Sequence, residues 1–223
     1  MARRGIHVEI CIDADPEAVW ALTQDPHRHG RWDLRFSRIV PDGETDAGAS
    51  RFTYTRRVPL HTIAGVGVSL GERSRSDGTR TSALRFSSAD PLSPIREGRG
   101  YWRYVAADGG TRFSTGYDYE PGWGRALDLL VRPLLGWATA WSFDRLRIWL
   151  ERGEAPEQWP LRSVLWVWRP ERPRAGRCLR EPRGARRADH LQDAPAALAT
   201  LPEPVPHPLR PRPERAVRPE CAP

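Results

Sequence analysis

The chain has 223 residues, a length that allows one large domain or one domain followed by a tail. Its hydrophobic content of 39% and its mean hydropathy of −0.61 are low for a chain that is globular throughout, so we expect a segment that joins no core. The formal net charge of +7 arises from 35 arginines, without a single lysine, against 28 acidic residues. This charge permits binding to nucleic acid or to an anionic membrane but does not require it.

The arrangement of charges and cysteines argues against several classes of protein. Residues 1–152 contain 22 arginines spread among 19 acidic residues, so no dedicated nucleic-acid surface is predicted. Cys11, Cys178 and Cys221 are far apart and odd in number, which argues against a zinc site or a disulfide framework. The N-terminus lacks the apolar core of a signal peptide, and no apolar run reaches the ~20 residues of a membrane span. We therefore expect a cytoplasmic protein without a metal, a cofactor or a transmembrane segment.

The N-terminal part of the sequence predicts one strand and two short helices. Apolar and polar residues alternate over residues 6–13, which is the period of a half-buried strand. Asp15 is a suitable helix N-cap, and Pro16 suits the first helical position after it. Residues 25–33 predict a second, shorter helix.

Six further strands and one long helix follow along the chain. Turn signals separate the strands, and the residues 108–110 (DGG) strongly indicate a tight hairpin between the last two. Successive hairpins predict a mostly antiparallel sheet in an α+β domain. The six strands are predicted at 33–40, 50–58, 62–73, 80–89, 98–107 and 111–120, and the helix is predicted at 125–152.

Pro133 leaves two interpretations of the long helix open. A proline inside a helix removes a hydrogen bond and clashes with the preceding turn, which predicts a kink near residues 129–132. Proline is also common at the first helical position, in which case the helix starts at Pro133 and residues 125–132 form a separate helix. Gly136 leaves room for a bulky neighbour on either interpretation.

The composition changes sharply after Leu150. Of the 22 prolines, 14 lie beyond residue 152, where they are interleaved with arginines. Such proline density disfavours regular helices and strands and favours extended, solvated chain. We predict a folded domain at residues 1–152 and a mostly disordered Pro/Arg-rich tail at residues 153–223. One apolar patch in this tail, residues 161–168, is expected to dock on the domain or to bind a partner.

Both ends of the predicted domain resemble the START-like helix-grip superfamily, which includes polyketide cyclases/dehydrases and lipid carriers. Residues 16–20 carry the pattern P-x-x-V-W on the first helix, and residues 32–33 (WD) precede the second strand. Residues 132–151 (RPLLGWATAWSFDRLRIWLE) match the position and length of the C-terminal helix of that superfamily. The resemblance covers residues 5–152. It implies a curved, seven-stranded antiparallel sheet wrapped around the last helix, with two short helices after the first strand and an apolar cavity between sheet and helix.

In such a fold, the inward faces of the strands and one side of the long helix line the cavity. Alternate residues of a strand share a face, and helix residues at spacings of three or four share a stripe. The stripe on the long helix runs through Leu130, Leu134, Trp137, Trp141, Arg145 and Ile148. Aromatic rings beside hydroxyl groups suit a ring-bearing or acyl ligand, although the same residues can instead fill a core. The predicted wall consists of Phe52, Tyr54, Leu84, Phe86, Phe113, Thr115, Tyr117, Tyr119, Leu134, Trp137 and Trp141.

The sequence contains no arrangement that assigns a catalytic residue. The histidines are scattered, and His27 and His29, two residues apart, do not share a helical face. We rank first the binding of a small hydrophobic ligand that is lipid-like, acyl or polyketide-like. Second is a cyclase/dehydrase-type enzyme in which Tyr54, Tyr117 or Arg56 polarises a carbonyl group. Third is a scaffold whose basic tail binds nucleic acid, a membrane or an unknown protein partner.

Overall fold

The predicted architecture is confirmed by the computed structural model, which describes residues 5–72, 78–181, 191 and 194–204. Seven strands form one antiparallel sheet in the order β1-β7-β6-β5-β4-β3-β2, and a long helix follows the last strand. The strands are β1 Ile6–Ile12, β2 Arg38–Glu44, β3 Ser50–Val58, β4 His61–Glu72, β5 Arg80–Ser87, β6 Ile95–Ala107 and β7 Gly110–Pro121. The helices are α1 Pro16–Gln24, α2 Pro26–Trp32, α3 Gly124–Arg152 and α4 Ala197–Thr200, and 3-10 turns occur at Pro156–Gln158, Leu161–Leu165 and Ala175–Arg177.

Local side-chain chemistry explains where the first helices and the second strand begin. The Asp15 carboxylate accepts the Glu17 N–H at 2.7 Å, which confirms the predicted N-cap of α1. The second strand begins at Arg38 rather than at residue 33, because the Asp33 carboxylate accepts the Arg35 N–H at 2.9 Å and holds a turn there.

The core lies between α3 and the part of the sheet formed by β1, β7 and β6. The alternating apolar residues of β1 are all buried, as their spacing predicts. Phe113 of β7 stacks on Phe143 of α3 with 4.5 Å between ring centroids, and both rings are fully buried. Burial of one such side chain contributes about 1.5–3 kcal/mol. We call the face of the sheet that carries Phe113 the inner face.

Helix α3 is continuous from Gly124 to Arg152 with Pro133 inside it, so the interpretation that a helix starts at Pro133 is wrong. Its contacts with the sheet fix which side faces inward. The Tyr117 hydroxyl lies 2.9 Å from Thr139 Oγ1, and Phe143 is on the same side of the helix as Thr139. Since each helical residue turns the chain by about 100°, Trp141 lies about 200° around the helix from Thr139.

The stripe predicted to face the sheet therefore lies on the opposite side of α3. Leu134 is 61% exposed, while Trp137 stacks on Trp141 away from the sheet. These three residues are not part of a wall between sheet and helix, which corrects the prediction. The sheet side is instead occupied by Thr139 and Phe143 in the second half of α3.

Residues 154–181 cover the outer side of α3, where Ala175 and Cys178 belong to the same buried apolar cluster as Trp141, which is only 1% exposed. The Asp144 carboxylate accepts the Arg174 N–H at 2.7 Å, and the Cys178 thiol donates to the Ala140 carbonyl at 3.2 Å. Leu179 also exchanges two backbone hydrogen bonds with Glu9 of β1. This part of the chain therefore differs from the extended, solvated tail expected from residue 153 onward. The remainder of that predicted tail, at 182–190, 192–193 and 205–223, is outside the described residues.

A second apolar cluster lies on the outer face of the sheet. Ala197, Leu198 and Leu201 pack there with Val68 and Ala83, so the described residues around α4 also join the fold. The predicted apolar patch at residues 161–168 is less buried than the residues around α4, because most of its side chains face outward. Its Ser163 is buried, but the following side chains are exposed at Leu165, Val167 and Trp168.

Candidate ligand site on the inner face of the sheet

Aromatic rings on the inner face lie flat over glycines of neighbouring strands. Phe52 pairs with Gly67, and Phe86 pairs with Gly98. A Cβ atom at either glycine would overlap the paired phenylalanine ring, so each ring takes the space that a side chain on the next strand would fill. Both rings are half-buried, as is Leu84 on the same face. The result is an apolar floor across β3–β6 that the core does not fully cover.

The predicted wall residues on β7 have a different role from those on β3 and β5. Thr115 and the aromatic residues beside it are buried and belong to the packed core or to hydrogen bonds within it. Tyr119 donates to Asp128 of α3, and its ring lies under Arg132 at 4.3 Å. The residues left partly accessible on the inner face are Phe52, Leu84 and Phe86, with Tyr54 beside them.

A buried polar cluster lies beside this apolar floor. Asp33 is fully buried, and its carboxylate accepts hydrogen bonds from Arg35 at 2.6 Å and 3.0 Å. His29 Nε2 lies 3.1 Å from the same carboxylate, and its Nδ1 lies 3.1 Å from the Thr23 carbonyl. Arg35 also lies over the Tyr117 ring at 5.3 Å. The cluster therefore links the end of α2 to the inner face of β7.

The electrostatics of the cluster keep both members of the ion pair charged. Burial raises the pKa of the Asp33 carboxyl, but the charge of Arg35 and the hydrogen bond from His29 outweigh it and hold that pKa well below its usual range. Burial lowers the pKa of Arg35, and the Asp33 carboxylate outweighs this effect in turn, so the pKa of Arg35 is raised. Burial is also the main reason that the pKa of Tyr117 is raised, which keeps its hydroxyl protonated.

Tyr54 and Arg56 extend the polar groups along the inner face of β3. The Tyr54 hydroxyl donates to the Ser87 carbonyl at 3.3 Å, and burial raises the pKa of this phenol. Burial lowers the pKa of the half-buried Arg56, while the charge of Asp33 opposes that shift. Arg56 makes no side-chain hydrogen bond or ion pair with any residue in the part of the chain that the structure describes. It is therefore a half-buried cation that is available to a ligand.

Tyr54, Arg56 and Tyr117 were named from the sequence as candidates for polarising a carbonyl group, but the buried Asp33–Arg35 ion pair was not predicted. Trp32 and Asp33 entered the sequence analysis only as part of the resemblance to the helix-grip superfamily. A usable signal was present: an acidic residue directly after a short helix, followed two residues later by an arginine, is the spacing of a side chain that caps a turn and pairs within it.

The seven-stranded antiparallel sheet, the long helix after it and the partly open inner face define a helix-grip protein. The chain belongs to the polyketide cyclase / dehydrase and lipid transport family, whose model matches residues 3–151. Among curated proteins, it is similar to the uncharacterized membrane protein YndG of Bacillus subtilis (strain 168), with 40% identity over 174 residues. That alignment covers 75% of this chain and 65% of the relative, so the chain spans somewhat less than two thirds of the relative's length.

Solved structures are similar to the chain at low identity. The Zhui aromatase/cyclase from Streptomyces sp. R1128 superposes with a TM-score of 0.51 at 12% identity, over 68% of this chain and 98% of that one. A STAR-related lipid transfer protein fragment from Xanthomonas axonopodis gives a TM-score of 0.48 at 18% identity, over 65% and 84% of the two chains. Within the described ranges, no helix has both the length and the apolar character needed to cross a membrane.

Proposed function

We propose that the protein binds a small apolar molecule with a carbonyl or acidic group, and that this ligand lies on the inner face of the sheet. The observation that carries the proposal is Arg56, a half-buried cation without a protein partner in the described chain, on the same face as the accessible rings of Phe52 and Phe86. A lipid-like, acyl or polyketide-like molecule has this combination of groups.

The apolar floor supplies the affinity in this proposal. Each 100 Å² of apolar surface that a ligand removes from water contributes about 2.5 kcal/mol before the costs of association. The rings of Phe52 and Phe86 lie against Gly67 and Gly98 of the paired strands, so they present a surface on which a ligand can lie. A flat floor of rings favours a ring or an extended chain over a compact polar molecule.

The polar groups orient the ligand. Arg56 supplies guanidinium donors that match a carboxylate or an enolate oxygen, and charge-assisted bonds of this kind are stronger than neutral ones. The Asp33 carboxylate, which acts on Arg56 through its charge, is already neutralised by Arg35. An acidic ligand beside Arg56 therefore meets a cation that the Asp33 carboxylate does not neutralise.

Fluorescence titration with 8-anilino-1-naphthalenesulfonate, a ring-bearing anion, tests the proposal. We expect saturable binding to the wild-type protein and an affinity at least about tenfold lower for Arg56→Gln, because a charge-assisted hydrogen bond is lost. Arg57→Gln is the matched control, since Arg57 is exposed and alternates to the other face of β3. Equal affinities of the two variants would contradict the proposal.

A change in the floor itself tests the position of the ligand. In Gly67→Ala the new methyl group overlaps the Phe52 ring, which must move into the space above the sheet. We expect weaker probe binding than in the wild-type protein, with a cost to folding of about 1–3 kcal/mol from overpacking. Gly176→Ala is the control, because a Cβ there meets no atom within 4 Å. Unchanged probe affinity in a folded Gly67→Ala protein would place the probe elsewhere.

Catalysis of the cyclase/dehydrase type is the second candidate. It is favoured by the neutral phenol of Tyr54 and the cationic Arg56 on one face of β3, since such donors stabilise a developing enolate. It ranks second because the Tyr54 hydroxyl already donates to a backbone carbonyl. Conversion of a polyketide-like probe into a cyclised isomer or a dehydrated product, separated by chromatography and identified by mass spectrometry, would distinguish turnover from binding alone.

The proposal also covers the cellular location of the protein and the role of the segment after α3. We retain the cytoplasmic location predicted from the sequence, although the B. subtilis relative is named a membrane protein. The exposed side chains of Leu165, Val167 and Trp168 support a role for this segment in binding a partner.

A further inference from the structure

A separate pocket lies at the β2 edge of the sheet, where α2, β2, α3 and the turn Pro156–Gln158 meet. Its volume is about 330 Å³. Four charged side chains from these four elements line it, together with the polar residues His27 and Ser37. The charged residues are Arg31, Arg38, Arg145 and Glu157.

The charges in this pocket do not balance. Glu157 is its one acidic lining residue, and it is already bound by Arg31 through two hydrogen bonds of 2.7 Å and 3.0 Å. Arg38 has no side-chain partner among the residues that the structure describes. The pocket therefore has an excess of two positive charges. Another pocket of about 380 Å³, on the sheet, has an excess of negative charge, because two arginines and four acidic residues line it.

Arg145 is the most constrained cation of the pocket. Its guanidinium lies over the Trp141 ring at 5.3 Å and donates to the Arg31 carbonyl. Its Nε atom is buried and has no hydrogen-bond partner within the described ranges. Burial lowers the pKa of Arg145 to about 10, with Glu157 opposing the shift, so the side chain is still charged at neutral pH. A half-buried cation with an unused buried donor is costly, and an anion in the pocket would offset that cost.

We propose that this pocket binds a phosphate-like oxyanion, either a free phosphate group or the headgroup of a phospholipid. Arginines on two different elements, Arg38 on β2 and Arg145 on α3, approach the pocket with planar donor groups. Guanidinium groups bind tetrahedral oxyanions through paired hydrogen bonds, and several of them suit a phosphoryl group. The Ser37 side chain at the rim adds a neutral hydroxyl.

This site is independent of the ligand site on the inner face. None of the inner-face residues Phe52, Arg56 and Phe86 lines the pocket, and its arginines lie on other elements or on the far part of α3. Failure of one proposal therefore leaves the other standing, and the two use different probes.

Isothermal titration with inorganic phosphate, at constant ionic strength, tests the assignment. We expect saturable binding to the full-length protein and an affinity about tenfold lower for Arg38→Gln, whose exposed side chain is not needed for folding. Glu157→Gln should bind phosphate more tightly, because it removes the internal competitor for Arg31. Arg125→Gln is the matched control, since Arg125 is exposed on the same helix as Arg145 and about 30 Å away along it.

Sedimentation with vesicles distinguishes the two sources of phosphate. Vesicles of phosphatidylglycerol and of phosphatidylcholine are compared for the wild-type protein and the Arg38→Gln and Arg125→Gln variants. Binding to free phosphate without vesicle binding supports a soluble phosphorylated ligand, and phosphatidylglycerol binding that Arg38→Gln selectively weakens supports a headgroup. The proposal is overturned if neither probe binds saturably, if Arg38→Gln and Arg125→Gln behave alike, or if Glu157→Gln weakens phosphate binding.

Discussion

Asp33→Asn lowers the free energy of unfolding by about 3–5 kcal/mol, the range for breaking a buried ion pair by removing one partner. The carboxylate is fully buried and holds both Arg35 and His29. An amide at this position leaves the Arg35 charge without its partner and offers only one acceptor oxygen. Urea denaturation followed by circular dichroism measures the loss, and Asp46→Asn, in an exposed turn, is expected to unfold like the wild-type protein.

The same ion pair predicts a pH dependence with a definite sign. The pKa of Asp33 is lowered in the folded protein, so its contribution to stability is fully present above the pKa of an unfolded aspartate, about 3.9. The contribution is lost as the pH falls below that value toward the folded pKa. The stability difference between wild type and Asp33→Asn should therefore be constant from pH 7 to about pH 5 and shrink below pH 4. A difference that grows on acidification would contradict this account of Asp33.

Asp144→Asn is expected to have a comparable effect, with a different local consequence. The buried carboxylate accepts from Arg147 at 2.7 Å, from Arg177 at 2.8 Å and from the Arg174 N–H at 2.7 Å. Its removal should lower the free energy of unfolding by about 3–5 kcal/mol and loosen residues 172–179 from α3. Hydrogen exchange resolved by peptide checks the second part: amides of this segment should exchange faster than those of the sheet.

Glu151→Gln is the matched control for Asp144. Glu151 is the other carboxylate that binds Arg147, but it makes no hydrogen bond or ion pair with the residues after 170 that the structure describes. We expect a small loss of stability and unchanged exchange of that segment. Equal acceleration of exchange in both variants would show that Asp144 does not hold the segment specifically.

The elements of the fold were predictable because their signals are local. The alternation of β1 and the capping aspartate of α1 depend on neighbouring residues only, and both predictions are confirmed. The inner-face positions of Phe52, Tyr54, Leu84 and Phe86 followed from the same alternation. The accessibility of the Phe52 and Phe86 rings could not be predicted in this way, because it depends on glycines of the partner strands.

The orientation of α3 was not predictable from its own residues. Apolar side chains occur around most of its second half, because one side packs on the sheet and the other is covered by residues 154–181. Hydrophobicity indicates that Trp141 and Phe143 are buried, but not which structure buries each of them. The proline-rich composition concealed the covering segment, since short 3-10 turns tolerate prolines that long helices and strands exclude.

The buried charges were missed for a related reason. Arginine and aspartate a few residues apart usually form solvated pairs, and nothing in the local sequence indicates that the pairs of Asp33 and Asp144 are buried. In both cases the surrounding groups are distant in sequence: the Arg35 partner of Asp33 lies over Tyr117 of β7, and Asp144 accepts hydrogen bonds from Arg174 and Arg177. The burial of such charge pairs can be recognised only when the tertiary fold is known.

Native mass spectrometry of the protein purified from its own host tests the central claim most directly. We expect the wild-type protein and Arg57→Gln to retain one small apolar molecule with an acidic or carbonyl group, and Arg56→Gln to lose it. The account is contradicted if the wild-type protein retains no ligand and takes up none from a mixture of fatty acids and aromatic carboxylates, or if Arg56→Gln retains the same molecule to the same extent.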